Sequence, residues 1–216
     1  MSNARSRQRR PGRRPPFRDP LPRILIVSEG KNTEPEYFKG FAKFCHNSRV
    51  TVEIAPEHGV PKTVVEVARN RKKEAEKKAS REKDENIAYE EVWCVFDIDE
   101  HPQVGEAKEM ARDNNIQLAI SNPCIELWLL LHFRENPGMQ SRDKIKSMLI
   151  EHVPGYDKHV DYATYAIGYP EALRRAEQMD CAAKDAHEVG RNPTTNVYEL
   201  TESIRVGEHK RNSNAV

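Results

Sequence analysis

The chain has no apolar run longer than Leu127–Leu131, which is far too short to cross a bilayer. It carries no signal-peptide pattern. No membrane association is expected, and the chain reads as cytoplasmic. Cysteine is scarce, and Cys45, Cys94, Cys124 and Cys181 are far apart. No C-x-x-C pair or Cys/His spacing suggests zinc, so a disulfide framework and a zinc module are both excluded and reduced thiols are expected. Internal repeats are absent. Acid and lysine are nearly absent from one end: residues 1–23 hold eight Arg, no Lys and the single acid Asp19, a charge of +7.

That end explains the overall balance. Residues 24–216 hold 27 Lys and Arg against 33 Asp and Glu, or −6, so the net +1 conceals an asymmetry. Met1–Pro22 contains Arg5, Arg7, Arg9, Arg10, Arg13 and Arg14, five prolines and one Phe. Such a stretch cannot bury enough apolar area to offset its ordering entropy, so it is expected to be a disordered arm. Its arginines suit nucleic-acid phosphates, onto which guanidinium groups fork; a solubilising tail is the plainer reading. The remaining 23–216 is long enough for one domain with a normal core.

Within it, Val92–Glu100 (VWCVFDIDE) organises the rest. Five apolar residues, rich in β-branched and aromatic types, read as a strand buried on both faces. Asp97 and Asp99 follow at its carboxyl end, on the same side and about 6.6 Å apart along the chain. Their hard oxygens suit Mg²⁺ or Mn²⁺. Arg23–Ser28 (RILIVS) is a first strand of the same kind, with Glu29 in the loop after it. Gly30-Lys31 is not a phosphate-binding loop, because position 25 is Leu and Lys31 precedes Asn32. Thr33 and Glu36 have capping-box spacing, and Pro35 suits the first turn of the helix that follows. Glu29 lies outside that box and is a candidate metal ligand or general acid/base.

Val50–Ala55 reads as the second strand, Val60–Lys83 as a helix, Glu106–Asn114 as a short helix and Ile116–Ile120 as the fourth strand. Arg69–Glu85 holds eight basic and five acidic residues, which suits a solvated helix face. Asn122 and Pro123 are expected to cap and start a helix over Pro123–Phe133, apolar almost all round and so buried. Glu126 is its only acid, and a buried carboxylate is costly unless paired or bound to a cation. Further helices are expected at Arg142–His152, at Pro170–His187 and after a Thr194 or Thr195 cap. Tyr156, Tyr162, Tyr165 and Tyr169 mark an irregular segment, where packing on the core is commoner than stacking on bases. The whole predicts an α/β fold with a parallel sheet of about four strands flanked by helices, and a helical C-terminal extension over about 134–216. Carboxylates at adjacent strand ends would let metal ions polarise a phosphodiester and activate water.

The stretches SEGKNTEPEYF, VWCVFDIDEH, SNPCIELWLLLHF and NPTTNVYEL carry a resemblance that spans about Ile24 to Leu200. Glu after the first strand and Asp-x-Asp after the third is similar to the Toprim pattern of topoisomerases, primases and overcoming-lysogenization-defect nucleases. The chain more closely resembles the RloB/AbiL-type family of Toprim-like bacterial defence proteins. That resemblance implies a Toprim-like, Rossmann-like fold, with Glu29 a catalytic Glu, Asp97 and Asp99 metal ligands, and Glu126 a further site acid. It also implies abortive infection or phage defence, often beside an ATPase partner.

The expected function is thus a Mg²⁺-dependent nuclease cutting DNA or RNA, with Arg5, Arg7, Arg9, Arg10, Arg13, Arg14 and Lys31 touching nucleic acid. A haloacid-dehalogenase-type phosphatase places its Asp-x-Asp after the first strand, usually before Thr or Val; here it follows the third and precedes Glu100. A glycosyltransferase lacks a nucleotide-sugar signal. The serious alternative is a non-catalytic nucleic-acid-binding or effector-sensing subunit that retains the site.

Overall fold

The computed structural model describes residues 23–46, 51–98 and 104–206. The arginine-rich stretch 1–22, with Arg5, Arg7, Arg9, Arg10, Arg13 and Arg14, and also Asp99, Glu100 and His101 lie outside the described residues.

Strands β1 (Arg23–Ser28), β2 (Thr51–Ile54), β3 (Glu91–Asp97) and β4 (Gln117–Asn122) alternate with helices α1 (Thr33–Cys45), α2 (Pro61–Glu82) and α3 (Val104–Asp113). After β4 come α4 (Ile125–Leu131), α5 (Arg142–His152), α6 (Tyr169–Asp185), the short strand β5 (Thr194–Thr195) and α7 (Val197–Val206). The sheet order is β2-β1-β3-β4-β5. The first four strands are parallel. The fifth runs antiparallel to β4, pairing Ser121 with Thr195 and Asn122 with Thr194.

Alternation along the strands builds two cores. Ile24, Ile26, Trp93 and Val95 face one cluster, which α1, α4, α5, α6 and α7 complete through Phe38, Trp128, Leu149, Ala176 and Leu200. Leu25, Val27, Val92, Cys94 and Phe96 face the other, closed by Val64 and Ala68 of α2 and Ala107 and Ala111 of α3. Both strand faces are covered, which is why β1 and β3 are apolar throughout rather than alternating. The residues after 134 are no appendage: they add a strand to the sheet and much of the larger core.

Several local expectations are corrected. The four parallel strands are as expected, and the structure adds a fifth, antiparallel one at the edge, whose two residues are too short for any pattern to reveal. Asn122 is not a helix cap, because pairing with β5 extends β4 to that residue and its amide donates to the Gly190 carbonyl at 2.8 Å. The cap of α4 is Cys124, and Pro123 before it is joined to Asn122 by a cis peptide bond. The Thr33–Glu36 capping box does not form either. Asn32 is the cap, while Thr33 and Glu36 turn to the segment after α5: the Thr33 hydroxyl donates to the Lys158 carbonyl at 2.9 Å, and Glu36 accepts from the Val160 N–H at 2.7 Å. Thr194 and Thr195 form β5, and Thr195 Oγ1 also accepts the N–H of Val197, the first residue of α7, at 3.4 Å, as the expected cap would.

The irregular segment is held by its tyrosines. Tyr162 and Tyr165 ring Tyr37 of α1 at centroid distances of 5.4 and 6.4 Å, and Tyr169 lies 4.9 Å from Phe41. All four tyrosines are buried, so they pack on the core and are not stacking platforms.

Candidate functional site

In this strand order the chain steps from β1 out to β2 and back across to β3, so the crevice at the carboxyl ends of β1 and β3 is the topological switch point, where open α/β sheets bind ligands. Glu29 stands there. Its N–H still donates to the Val95 carbonyl at 2.9 Å, so the loop leaves β1 as a continuation of the sheet. Its carboxylate accepts the N–H of Asp97 at 3.2 Å. One acid of the site therefore holds the backbone of the next.

Asp97 is the last residue of β3 and is 5% exposed. Burial, then the charges of Glu34, Glu126 and Glu29, push its carboxyl well above the usual carboxylate range; Arg142 acts against them. Arg142 is the first residue of α5, and its guanidinium donates to Asp97 Oδ2 at 2.9 Å.

Glu126 lies in the first turn of α4 and is also 5% exposed. The free N–H groups of a helix start favour a carboxylate there. The Tyr156 hydroxyl donates to Glu126 Oε1 at 3.2 Å, and Thr33 lies 3.4 Å from the same hydroxyl. Tyr156 is thereby kept protonated, its pKa raised by burial and then by the Glu126 charge.

The structure adds Glu34, which sequence reasoning missed. It is 5% exposed, and its Oε1 accepts from the Gly30 N–H at 3.1 Å. Burial raises its carboxyl, with smaller contributions from Glu126 and Glu29, against the N–H bonds it accepts. Gly30 is required by this contact: a Cβ there would stand 2.3 Å from Glu34 Oε2. The available signal was Glu34 itself, an acid five residues after Glu29 with no duty in the expected capping box.

Glu29, Glu34, Asp97, Glu126, Arg142 and Lys158 line one cleft of about 430 Å³. Lys31 also lines it and is exposed. The structure thus brings together Glu29, Asp97, Glu126 and Lys31 of the expected site. It does not describe Asp99 or the arginines of the arm. Carboxylate and carbonyl oxygens, without thiolate or imidazole, are the donors a hard divalent cation takes. Among the described residues no three acids are already drawn together as a metal cage. The chemistry of the donor set fits Mg²⁺ or Mn²⁺, and Glu29, Glu34, Asp97 and Glu126 are the residues that would hold it.

Among the other buried polar groups, His132 is structural. His132, at the end of α4, faces the Trp128 carbonyl through Nδ1 at 2.9 Å and the Tyr37 hydroxyl through Nε2 at 3.2 Å. A carbonyl only accepts, so Nδ1 carries the proton and Nε2 accepts from Tyr37. All four cysteines are unpaired thiols, Cys94 and Cys124 among them buried.

A family model described as RloB-like protein matches residues 24–204. No curated protein and no solved structure matches the chain. No helix among the described residues is long and apolar enough to cross a membrane.

Proposed function

We propose that this chain, which belongs to the RloB-like protein family, is a divalent-metal-dependent nuclease that hydrolyses phosphodiester bonds of DNA or RNA in anti-phage defence. One observation carries the reading: four carboxylates, from the loop after β1 and from α1, β3 and α4, line one cleft at the switch point of the sheet. So many acids in partly dry surroundings repel one another, and a cation of charge two relieves that repulsion. Bound there, Mg²⁺ or Mn²⁺ would supply a polarised phosphoryl oxygen and a water acidic enough to attack it.

The chain's own residues divide the remaining work. Glu29 fixes the Asp97 backbone and so the end of β3. Tyr156 fixes Glu126. Lys31 and Lys158, at the same cleft, offer positive charge to a phosphate backbone. The arginines of residues 1–22 would add sequence-independent affinity.

The test is incubation of the purified chain with labelled DNA and RNA in Mg²⁺, Mn²⁺ or EDTA. Metal-dependent cleavage supports the reading. A second reading, a nucleic-acid-binding or effector-sensing subunit, is favoured by the ion pair through which Arg142 occupies Asp97. Binding without cleavage under every metal condition would select it.

A further inference from the structure

We infer that Arg142 is a placeholder cation: it holds the Asp97 carboxylate in the metal-free protein, gives it up when a divalent cation enters, and then receives a substrate phosphate. The inference rests on the metal-site reading above and adds a positioning residue to it. Three observations carry it.

First, Asp97 is enclosed and Arg142 is not. Their side chains are 7% and 45% exposed, so the carboxylate is confined while the guanidinium is half open to solvent. Second, the pair is lopsided in charge. Asp97 feels Glu34, Glu126 and Glu29 together, and Arg142 is the cation that offsets them. A guanidinium at 2.9 Å from Oδ2 and a metal ion on the same oxygen exclude each other by size and by charge. Third, Arg142 stands between two spaces. It lines the carboxylate cleft and also a neighbouring groove of about 570 Å³ with Asn122, Ser141, Asp143 and Asn192. Released from Asp97, the planar fork of an arginine is suited to two phosphate oxygens at the junction of the two.

The experiment is Mn²⁺ titration followed by electron paramagnetic resonance, on the wild type, Arg142→Gln and Arg142→Lys. Removing a competing unit charge a few ångströms from the ion should tighten Mn²⁺ binding on the order of tenfold in Arg142→Gln. Arg142→Lys keeps the charge and should stay near the wild type. A merely structural arginine would leave affinity unchanged or lower it, so equal or weaker binding by Arg142→Gln overturns the inference. If the wild type and Arg142→Gln both fail to bind Mn²⁺, the metal-site reading falls and takes this inference with it. A second measurement needs no neutral variant. The Arg142 Nε–H resonance, assigned by its loss in Arg142→Lys, should move when Mg²⁺ is added. A resonance unmoved at saturating Mg²⁺ overturns the exchange. Weaker oligonucleotide binding by Arg142→Gln in Ca²⁺ supports phosphate receipt, and unchanged binding contradicts it.

Discussion

Asp97→Asn keeps the shape of that side chain and removes its charge. The fold raises the Asp97 pKa, chiefly by burial, so it favours the protonated carboxyl. A raised carboxyl contributes its stability below the unfolded value of about 3.9 and loses it as pH rises through the folded value. At pH 7 in EDTA the asparagine variant should therefore melt higher, by roughly 3 °C, the change that about 1 kcal/mol gives at this size. Arg142 is half exposed, so losing its partner offsets little. A lower melting temperature would mean that the ion pair outweighs the burial. Glu126→Gln is the matching test on α4. Glutamine still accepts from Tyr156, so the metal-free melting temperature should hold or rise, and the rise induced by Mg²⁺ should shrink. A loss of about 3–5 kcal/mol with and without metal would make Glu126 the structural partner of a cation. Gly30→Ala should keep the fold while displacing the Glu34 carboxylate, lowering Mn²⁺ affinity. Glu29 and Glu126 were legible in the sequence because each lacked a local structural duty, and Asp97 because it ends an apolar strand two residues before Asp99. Glu34 was hidden inside an apparent helix start, and Arg142 because only the fold brings a residue 45 positions away onto Asp97.

Helix α4 joins the site to the aromatic core, and its pH sensitivity is separable from that of the carboxylates. Burial lowers the His132 pKa to about 4, although its backbone contacts act the other way. The fold thus favours the neutral ring. The unfolded chain binds the extra proton first, so stability is full above about 6.5 and falls as pH drops towards 4. Between pH 7 and pH 4 the wild type should lose roughly 3 kcal/mol more than His132→Gln in urea unfolding, because each tenfold difference in proton affinity between the two states is worth about 1.4 kcal/mol. Parallel curves for the two proteins would remove His132 as the cause. At this scale β1 and β3 were legible from unbroken apolar runs, and α2, α5 and α6 from helical spacing. The start of α4 was not, because Ser121-Asn122-Pro123 reads locally as a cap and only β5, arriving 74 residues later, makes it strand. Tertiary pairing overrode a good local signal.

Across the molecule, a doubly covered sheet leaves its carboxyl edge as the place where polar groups gather, and the family match covers the same span as the fold. The α/β class and the sheet edge that bears the site could be read from the order of strands and helices. The integration of residues after 134 could not, because β5 carries no pattern of its own. Deleting residues 1–22 should leave the melting temperature nearly unchanged and weaken nucleic-acid binding. For every phosphate that the shortened chain no longer neutralises, the log–log salt slope on duplex DNA should flatten by about 0.9. An unchanged slope would make the stretch a solubilising tail. On the reading proposed above, the cleft at the ends of β1 and β3 performs metal-dependent phosphodiester cleavage. Its most direct test is the cleavage rate of labelled DNA and RNA by the wild type and Asp97→Asn, side by side in Mg²⁺ and in Mn²⁺. The wild type should cut and the variant should fall to background while remaining folded; cleavage by Asp97→Asn at the wild-type rate would rule the cleft out as the site of cleavage.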